Sequence, residues 1–523
     1  MSKRVEIYDT TLRDGTQAEG LSPTVGDKLR VARLLDRLGL DFIEGGWPGA
    51  NPKDDEFFAR AKIELSLDHS NLVAFGSTRR PRQSAKEDDQ LARLLAADTE
   101  VVCIVGKAWD RHVIHALDTS LEEGLAMVFE SIEYLRSHGR RVFFDAEHFF
   151  DGHRNNPGFS ISILEAAATA GAERLILCDT NGGTLPTDAS QVVTALVGWS
   201  EVPLGVHFHN DGACAVANSL AAVEAGAFQV QGCVNGYGER TGNADLCSVI
   251  PNLVLKMGRH TLSTDRLDHL NSIAHEIADV MNSPIETRHP YVGSSAFSHK
   301  AGLHTSGLAR LDGAYEHINP ALVGNTARQL FSELMGRATL LQVAKDRGWN
   351  MDADLAQRIV DQVKDLEHQG YVFEAADGSF ELLVRRAAGW EDEYFELRSL
   401  LVTINADSAG EATATATLRL RVGEKEVELA RSGDGPVHAI DQALRAALEP
   451  GYPELGRVHL TDYKVRDLDS SDGTAARVRV LIETSDNDST WGTVGVHQNI
   501  IEASWEALSD GLMVALIRAE EGR

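Results

Sequence analysis

Residues 1–260 alternate short apolar runs with stretches whose apolar positions recur at helical spacing. The runs fall at 5–8, 42–44, 72–75, 101–105, 142–145, 175–178, 205–208 and 229–233. A representative intervening segment, 27–38, carries leucine and valine at three- and four-residue intervals and closes on Gly39, the residue type that best accepts the left-handed turn after a helix. Eight β-α units in succession predict a TIM barrel, because parallel strands buried on both faces read as continuous apolar runs. An open doubly wound sheet is the alternative. Residues 261–395 read as helical linker subdomains, interrupted near Pro284, Pro290 and Gly302, with one amphipathic helix expected over 328–347. From 396 to 523 the period changes to two, as in Ala416-Thr417-Leu418-Arg419-Leu420-Arg421-Val422. Two strand sets there each lead into a similar helical segment, at 437–444 and 496–503. This predicts an α+β domain of repeated βββα units.

In a barrel, the chemistry sits at the C-terminal ends of the strands. The polar residues that interrupt the apolar pattern fall there: Arg13 and Asp14 after the first strand, Glu44 at the second, Glu147 after the fifth, Asp179 and Thr180 after the sixth, His207 and His209 at the seventh, and 235–243 after the eighth. On a strand, His207 and His209 face the same way, and two imidazoles with a distant carboxylate make a three-point metal site with open positions. Asp14 is the natural third ligand, and Asn243 can add a weaker oxygen. This nitrogen and oxygen set without thiolate suits Mg²⁺, Mn²⁺ or Zn²⁺.

Arg13 reads either as an ion-pair partner of Asp9 or Glu44, or as a fixed cation that meets a developing oxyanion. Glu147 lies in the aromatic-rich stretch Phe143-Phe144-Asp145-Ala146-Glu147-His148-Phe149-Phe150, surroundings that would raise its pKa and suit it to proton handling or to hydrogen bonding with a substrate that Arg13 and Thr180 would also contact. It could equally be a buried partner for Arg13 or a histidine. The Thr180 hydroxyl, followed by the loop amides of Asn181-Gly182-Gly183, can hold a carboxylate. The Gly-x-Gly at 236–238 lacks the context of a dinucleotide fingerprint but can bring backbone close to a large ligand.

Composition narrows the partners. A net charge of −28 repels polyanions, which argues against nucleic acid and leaves no basic face for a membrane. No stretch approaches the ~20 apolar residues of a membrane span, and the first residues carry no apolar secretory core, so a cytoplasmic location is expected. Five cysteines without a C-x-x-C pair read as reduced core thiols.

Taken together, Asp9-Thr10-Thr11-Leu12-Arg13-Asp14-Gly15, His207-x-His209 and Gly238-Glu239-Arg240-Thr241-Gly242-Asn243 resemble the DRE-TIM metallolyase superfamily. More narrowly, the chain resembles the 2-isopropylmalate, homocitrate and citramalate synthases along its whole length. The segments 106–113 and 145–152 look like the citramalate synthase branch. The resemblance implies a metal-dependent Claisen condensation of acetyl-CoA with pyruvate, giving citramalate and feeding isoleucine biosynthesis. It further implies that Asp14, His207 and His209 bind metal, that Arg13 stabilises enolate or alkoxide, and that Glu147 with His304, joined by Tyr315, handles protons. In relatives the histidine matching His304 reaches the partner subunit's barrel. Asn235, Gly236 and Gly238 are the candidate contacts for acetyl-CoA. The C-terminal domain of such synthases dimerises and binds an end-product amino acid, which here implies a homodimer inhibited by isoleucine. Two other readings remain in view: 2-isopropylmalate synthase, with 2-oxoisovalerate as substrate, and a hydroxyacyl-CoA lyase of the same superfamily.

Overall fold

Eight parallel strands close on themselves: β1 (Glu6–Asp9), β2 (Phe42–Gly46), β3 (Asn71–Ser77), β4 (Val101–Lys107), β5 (Arg141–Glu147), β6 (Arg174–Asp179), β7 (Leu204–Phe208) and β8 (Gln229–Gly232). The computed structural model describes residues 4–262, 264–299, 311, 315–326, 328–329, 336–390, 394–406, 412–468, 476–486 and 489–521. The ring is completed where Ile7 pairs with Val230 and Tyr8 with Gln231. The predicted TIM barrel is therefore present, and the open sheet is excluded.

The helices between the strands start and stop on local signals. Val25–Leu38 begins in a capping box, in which Thr24 and Asp27 satisfy each other's backbone N–H groups, and ends at Gly39 with φ of 88°. Strand alternation then sorts the side chains into two cores. On one parity Ile7, Ile43, Val102, Ile104, Phe144, Leu175, Leu177, Val206, Phe208 and Val230 pack outward beneath the helices. On the other, Tyr8, Phe42, Phe75, Cys103, Phe143, Ile176 and Cys178 fill the barrel interior.

The described chain divides into two units. The first comprises Met1–Phe297 and Glu316–Ala327, and the second Ser298–Tyr315 and Arg328–Arg523. In the second unit, β9 (Phe395–Ala406), β10 (Ala412–Val422) and β11 (Lys425–Gly433) form one antiparallel sheet followed by the helix Pro436–Leu448. Three further strands, β12 (His459–Asp467), β13 (Val478–Ser485) and β14 (Thr490–His497), form a second sheet followed by the helix Ile500–Glu521. This is the predicted βββα repeat. The reason for its period is visible in β10, where Ala414, Ala416, Leu418 and Leu420 are buried against the helices. Between them, Arg419 and Arg421 pair with Glu428 and Glu396 in solvent.

Two boundaries differ from the sequence reading. Within the span 328–347 expected as one helix, Arg337–Asp346 is helical and starts after Gly336 in an extended conformation, while 330–335 lie outside the described residues. Arg328 and Gln329 instead pair in parallel with Ser298 and His299. The second helix of the repeat begins at Ile500 rather than 496, because Val496 and His497 still belong to β14, paired with Arg479 and Val478. Among the described residues, no helix is long and apolar enough to cross a membrane.

Candidate active site

Nearly every polar group at the mouth follows from one rule, that alternate strand positions face the barrel interior. In β7 the Leu204, Val206 and Phe208 side chains join the outer core, which leaves His207, and His209 one step beyond the strand, on the inner parity. The same parity carries Glu44 of β2, Lys107 of β4, Asp145 and Glu147 of β5, Thr180 after β6 and Gln231 of β8. Arg13, Asp14, Lys107, Asp145, Glu147, Thr180, His207 and His209 all line one cavity of about 390 Å³, together with Phe75, Cys178 and Arg240.

Asp14, His207 and His209 each offer a donor atom, and the three lie within 4.8 Å of one another. Nε2 of His207 is 3.4 Å and Nε2 of His209 3.8 Å from Asp14 Oδ2. All three residues are buried. Burial opposes the Asp14 charge, yet Arg13, His207 and His209 together hold its carboxyl well below the ordinary carboxylate range. His209 is lowered to about 3 by burial and by the neighbouring His207, so its imidazole is neutral and keeps a lone pair. Asn243 is brought beside His209 by a short antiparallel bridge at the end of β7. Its Oδ1 is buried without a hydrogen-bond partner among the described residues. Two imidazoles and an ionised carboxylate whose donor atoms meet within 4.8 Å are a donor set that a divalent cation satisfies, and the orphaned Asn243 oxygen is a further candidate that the bridge brings near His209.

The loop carrying Asn243 depends on glycine. A Cβ at Gly242, where φ is 85°, would stand 1.9 Å from the Gly236 carbonyl oxygen, and one at Gly238, where φ is 141°, would stand 2.6 Å from Asn243 Nδ2. Arg240 in the same loop donates to both oxygens of Asp211 and to the Thr180 carbonyl, tying the loops after β6, β7 and β8 together.

Arg13 is held from two sides. Its Nε donates to Glu44 Oε1 at 2.5 Å, and its guanidinium carbon sits 3.8 Å from the centre of the Phe75 ring. Glu44 is wholly buried and also accepts from the Tyr8 hydroxyl at 2.6 Å. Nη1 of Arg13 is 3.2 Å from Asp14 Oδ2. Of the two sequence readings of Arg13, the ion pair is present, with Glu44, and it fixes the cation beside the donor cluster.

Glu147 differs from the sequence reading. Its partner is Lys107, through an ion pair to Nζ, and the aromatic neighbours in sequence are elsewhere. Phe144, Phe149 and Phe150 lie in the outer core beneath the helices, and Phe143, on the same face as Glu147, packs against Tyr8 and Phe42 in the barrel interior. Thr180 Oγ1 accepts from the His148 backbone N–H at 2.9 Å, which leaves its own hydrogen free to donate.

Other expected site residues are placed differently. Asn235 is turned toward the helix Leu270–Met281, donating to the Ala274 carbonyl and the Tyr237 hydroxyl, and neither it nor Gly236 or Gly238 lines the cavity. Tyr315 belongs to the second unit and is exposed. His304 lies outside the described residues. Conversely, Asp145 and Lys107 line the cavity and Gln231 is buried in the barrel interior beside His207, although their sequence context marked none of them for a role.

Comparison with known proteins agrees with this geometry. The HMGL-like family model matches residues 4–274, a homocitrate synthase post-HMGL domain-like model 291–371, and the LeuA allosteric (dimerisation) domain model 374–516. A protein named (R)-citramalate synthase from Aquifex aeolicus is 48% identical, with 100% of this chain and 99% of that protein covered. One of the same name from Streptomyces coelicolor is 49% identical over 98% of this chain and 97% of its own length. A probable 2-isopropylmalate synthase from Methanopyrus kandleri is 34% identical over 98% of each.

Proposed function

The chain belongs to the citramalate synthase family, and on that premise we propose that it condenses acetyl-CoA with pyruvate, giving (R)-citramalate and free CoA. The observation that carries this reading is the meeting of Asp14, His207 and His209 within 4.8 Å at a barrel mouth, beside Arg13. Asp14, His207 and His209, with Asn243 as a further oxygen, would hold a divalent ion, Mg²⁺, Mn²⁺ or Zn²⁺, which when bound would supply Lewis-acid polarisation of the 2-oxo acid.

The chain's own residues supply the rest. The free Thr180 hydroxyl donates to the pyruvate carboxylate. Glu147 takes a proton from the acetyl-CoA methyl group, and Lys107 keeps its carboxylate at the mouth; His304 and Tyr315 keep the proton-handling role that the family resemblance implies. The resulting enolate carbon attacks C2 of pyruvate, and Arg13 meets the negative charge that moves onto the former ketone oxygen. That oxygen takes up a proton, and water then cleaves the thioester to release the CoA thiol. The repeated βββα units would serve as the dimerisation and regulatory part, with isoleucine as effector; the match to the LeuA allosteric (dimerisation) model supports this role.

A panel of 2-oxo acids, read by release of CoA thiol from acetyl-CoA with Mn²⁺ present, tests the substrate. Pyruvate is expected to exceed 2-oxoisovalerate in kcat/KM by at least ~10-fold, the scale on which apolar pockets discriminate added methyl groups. Equal or better turnover of 2-oxoisovalerate would move the assignment to 2-isopropylmalate synthase. Cleavage of a hydroxyacyl-CoA without any condensation would make the protein a lyase.

A further inference from the structure

His207 is the end of a buried hydrogen-bond chain that runs across the barrel and includes no other candidate metal ligand. Its Nδ1 lies 3.0 Å from Gln231 Oε1. Nε2 of Gln231 donates to Asp145 Oδ1 at 3.1 Å, and the Cys103 thiol donates to the same oxygen at 3.2 Å. The four residues come from four strands and are all buried, Gln231 and Cys103 completely. His207 and Gln231 are direct partners in the β7–β8 register.

Donor and acceptor chemistry gives this chain a direction. An ionised Asp145 only accepts, from the Cys103 thiol and from the NH₂ end of the Gln231 amide, which is the end the structure turns to it. The amide oxygen is then turned to His207, and an oxygen can only accept. The hydrogen of a neutral His207 must therefore be on Nδ1, which leaves the Nε2 lone pair facing Asp14. The opposite amide orientation would set two oxygens against each other at Asp145 and would place the His207 hydrogen on Nε2, where a cation must bind. His209 has no such device, since its Nδ1 is buried without a hydrogen-bond partner among the described residues.

We propose that Asp145 and Gln231 are positioning residues, a two-member relay that fixes His207 as the Nδ1–H tautomer and thereby sets the affinity of the Asp14, His207 and His209 site for a divalent cation. The inference rests on the metal-site reading but not on the identity of the 2-oxo acid. It is tested without turnover, so a wrong substrate assignment and a wrong relay give different failures.

The test is Mn²⁺ binding to the metal-free full-length protein, followed by calorimetry with no substrate present. Gln231→Leu and Asp145→Leu are each expected to weaken Mn²⁺ binding by ~10–100-fold, the usual cost of losing the group that orients a ligating histidine. Loss of both is expected to cost little more than either alone, because both act through the same imidazole nitrogen. The decisive variant is the pair Gln231→Glu with Asp145→Asn. In it a carboxylate still accepts from Nδ1–H of His207 and an amide now donates to that carboxylate, so the polarity of the relay is restored. Its Mn²⁺ affinity is expected within ~3-fold of the unmodified protein. Because the exchange swaps acid for amide at equal size, it also serves if the leucine variants do not fold. The proposal is overturned if folded Gln231→Leu binds Mn²⁺ as the unmodified protein does. It is equally overturned if the exchanged pair folds yet binds no more tightly than the single Gln231→Glu change.

Discussion

Arg13→Ala is expected to lower kcat for CoA release by about 10²- to 10³-fold, the loss associated with removing one preorganised donor from a developing oxyanion. The size of the effect follows from how the guanidinium is held. Glu44 and the Phe75 ring fix its plane before substrate arrives, so its alignment costs nothing during the reaction. The same substitution strands Glu44, which is 0% exposed, with the Tyr8 hydroxyl as its one remaining hydrogen-bond partner among the described residues. Breaking a buried pair in this way costs about 3–5 kcal/mol of stability. A second variant separates the two effects. Arg13→Ala combined with Glu44→Gln removes the orphaned charge and keeps an acceptor for Tyr8, so it is expected to regain most of the lost stability and none of the lost kcat. Unfolding midpoints beside kcat read both quantities. If activity returned together with stability, Arg13 would be a structural cation and its role at the ketone oxygen would have to be abandoned.

The second large effect concerns the donor cluster. His209→Ala, His207→Ala or Asp14→Ala each removes one of three facing donors, and each is expected to weaken Mn²⁺ binding by at least ~10²-fold and to reduce turnover correspondingly. Asn243→Ala is expected to have a smaller effect, since it removes a neutral oxygen rather than an imidazole or a charge. Calorimetric titration of each variant decides this order. Asn243→Ala losing as much affinity as His209→Ala would mean that its buried Oδ1 is a primary ligand.

How much of this was legible in the sequence depends on which interactions set each feature. The strands were legible because burial on both faces leaves a continuous apolar run; the run at 5–8 became Glu6–Asp9 and that at 205–208 became Leu204–Phe208. His207 and His209 were legible because their two-residue spacing is local. Gln231 was not, because the residue opposite His207 is decided by the stagger of β7 against β8, which no local pattern encodes. Glu147 shows the converse. Its aromatic sequence neighbours suggested an apolar pocket, but in Phe143-Phe144-Asp145-Ala146-Glu147 only alternate residues share a face. Phe144 points away and Lys107, on the adjacent strand, is the group that meets it. Reading the parity of each strand, rather than its composition, would have placed Asp145, Lys107 and Gln231 on the inner face together. Asn235 was drawn to the ligand side by the glycines around it, whereas the turn those glycines permit directs its amide to Ala274. The helix expected over 328–347 does not reach Arg328 and Gln329, which pair with Ser298 and His299, and apolar spacing says nothing about the extended Gly336 that starts Arg337–Asp346.

The central claim is that a cation held by Asp14, His207 and His209 makes the 2-oxo acid reactive toward acetyl-CoA. The most direct measurement is CoA release from acetyl-CoA and pyruvate while Mn²⁺ is titrated into the metal-free full-length protein, with His209→Ala titrated in parallel. The account predicts no condensation in the metal-free protein, turnover that rises in step with Mn²⁺ occupancy of one site per chain, and no such rise in His209→Ala at the same concentrations. Full turnover by the metal-free protein, or an undiminished response in His209→Ala, would contradict it.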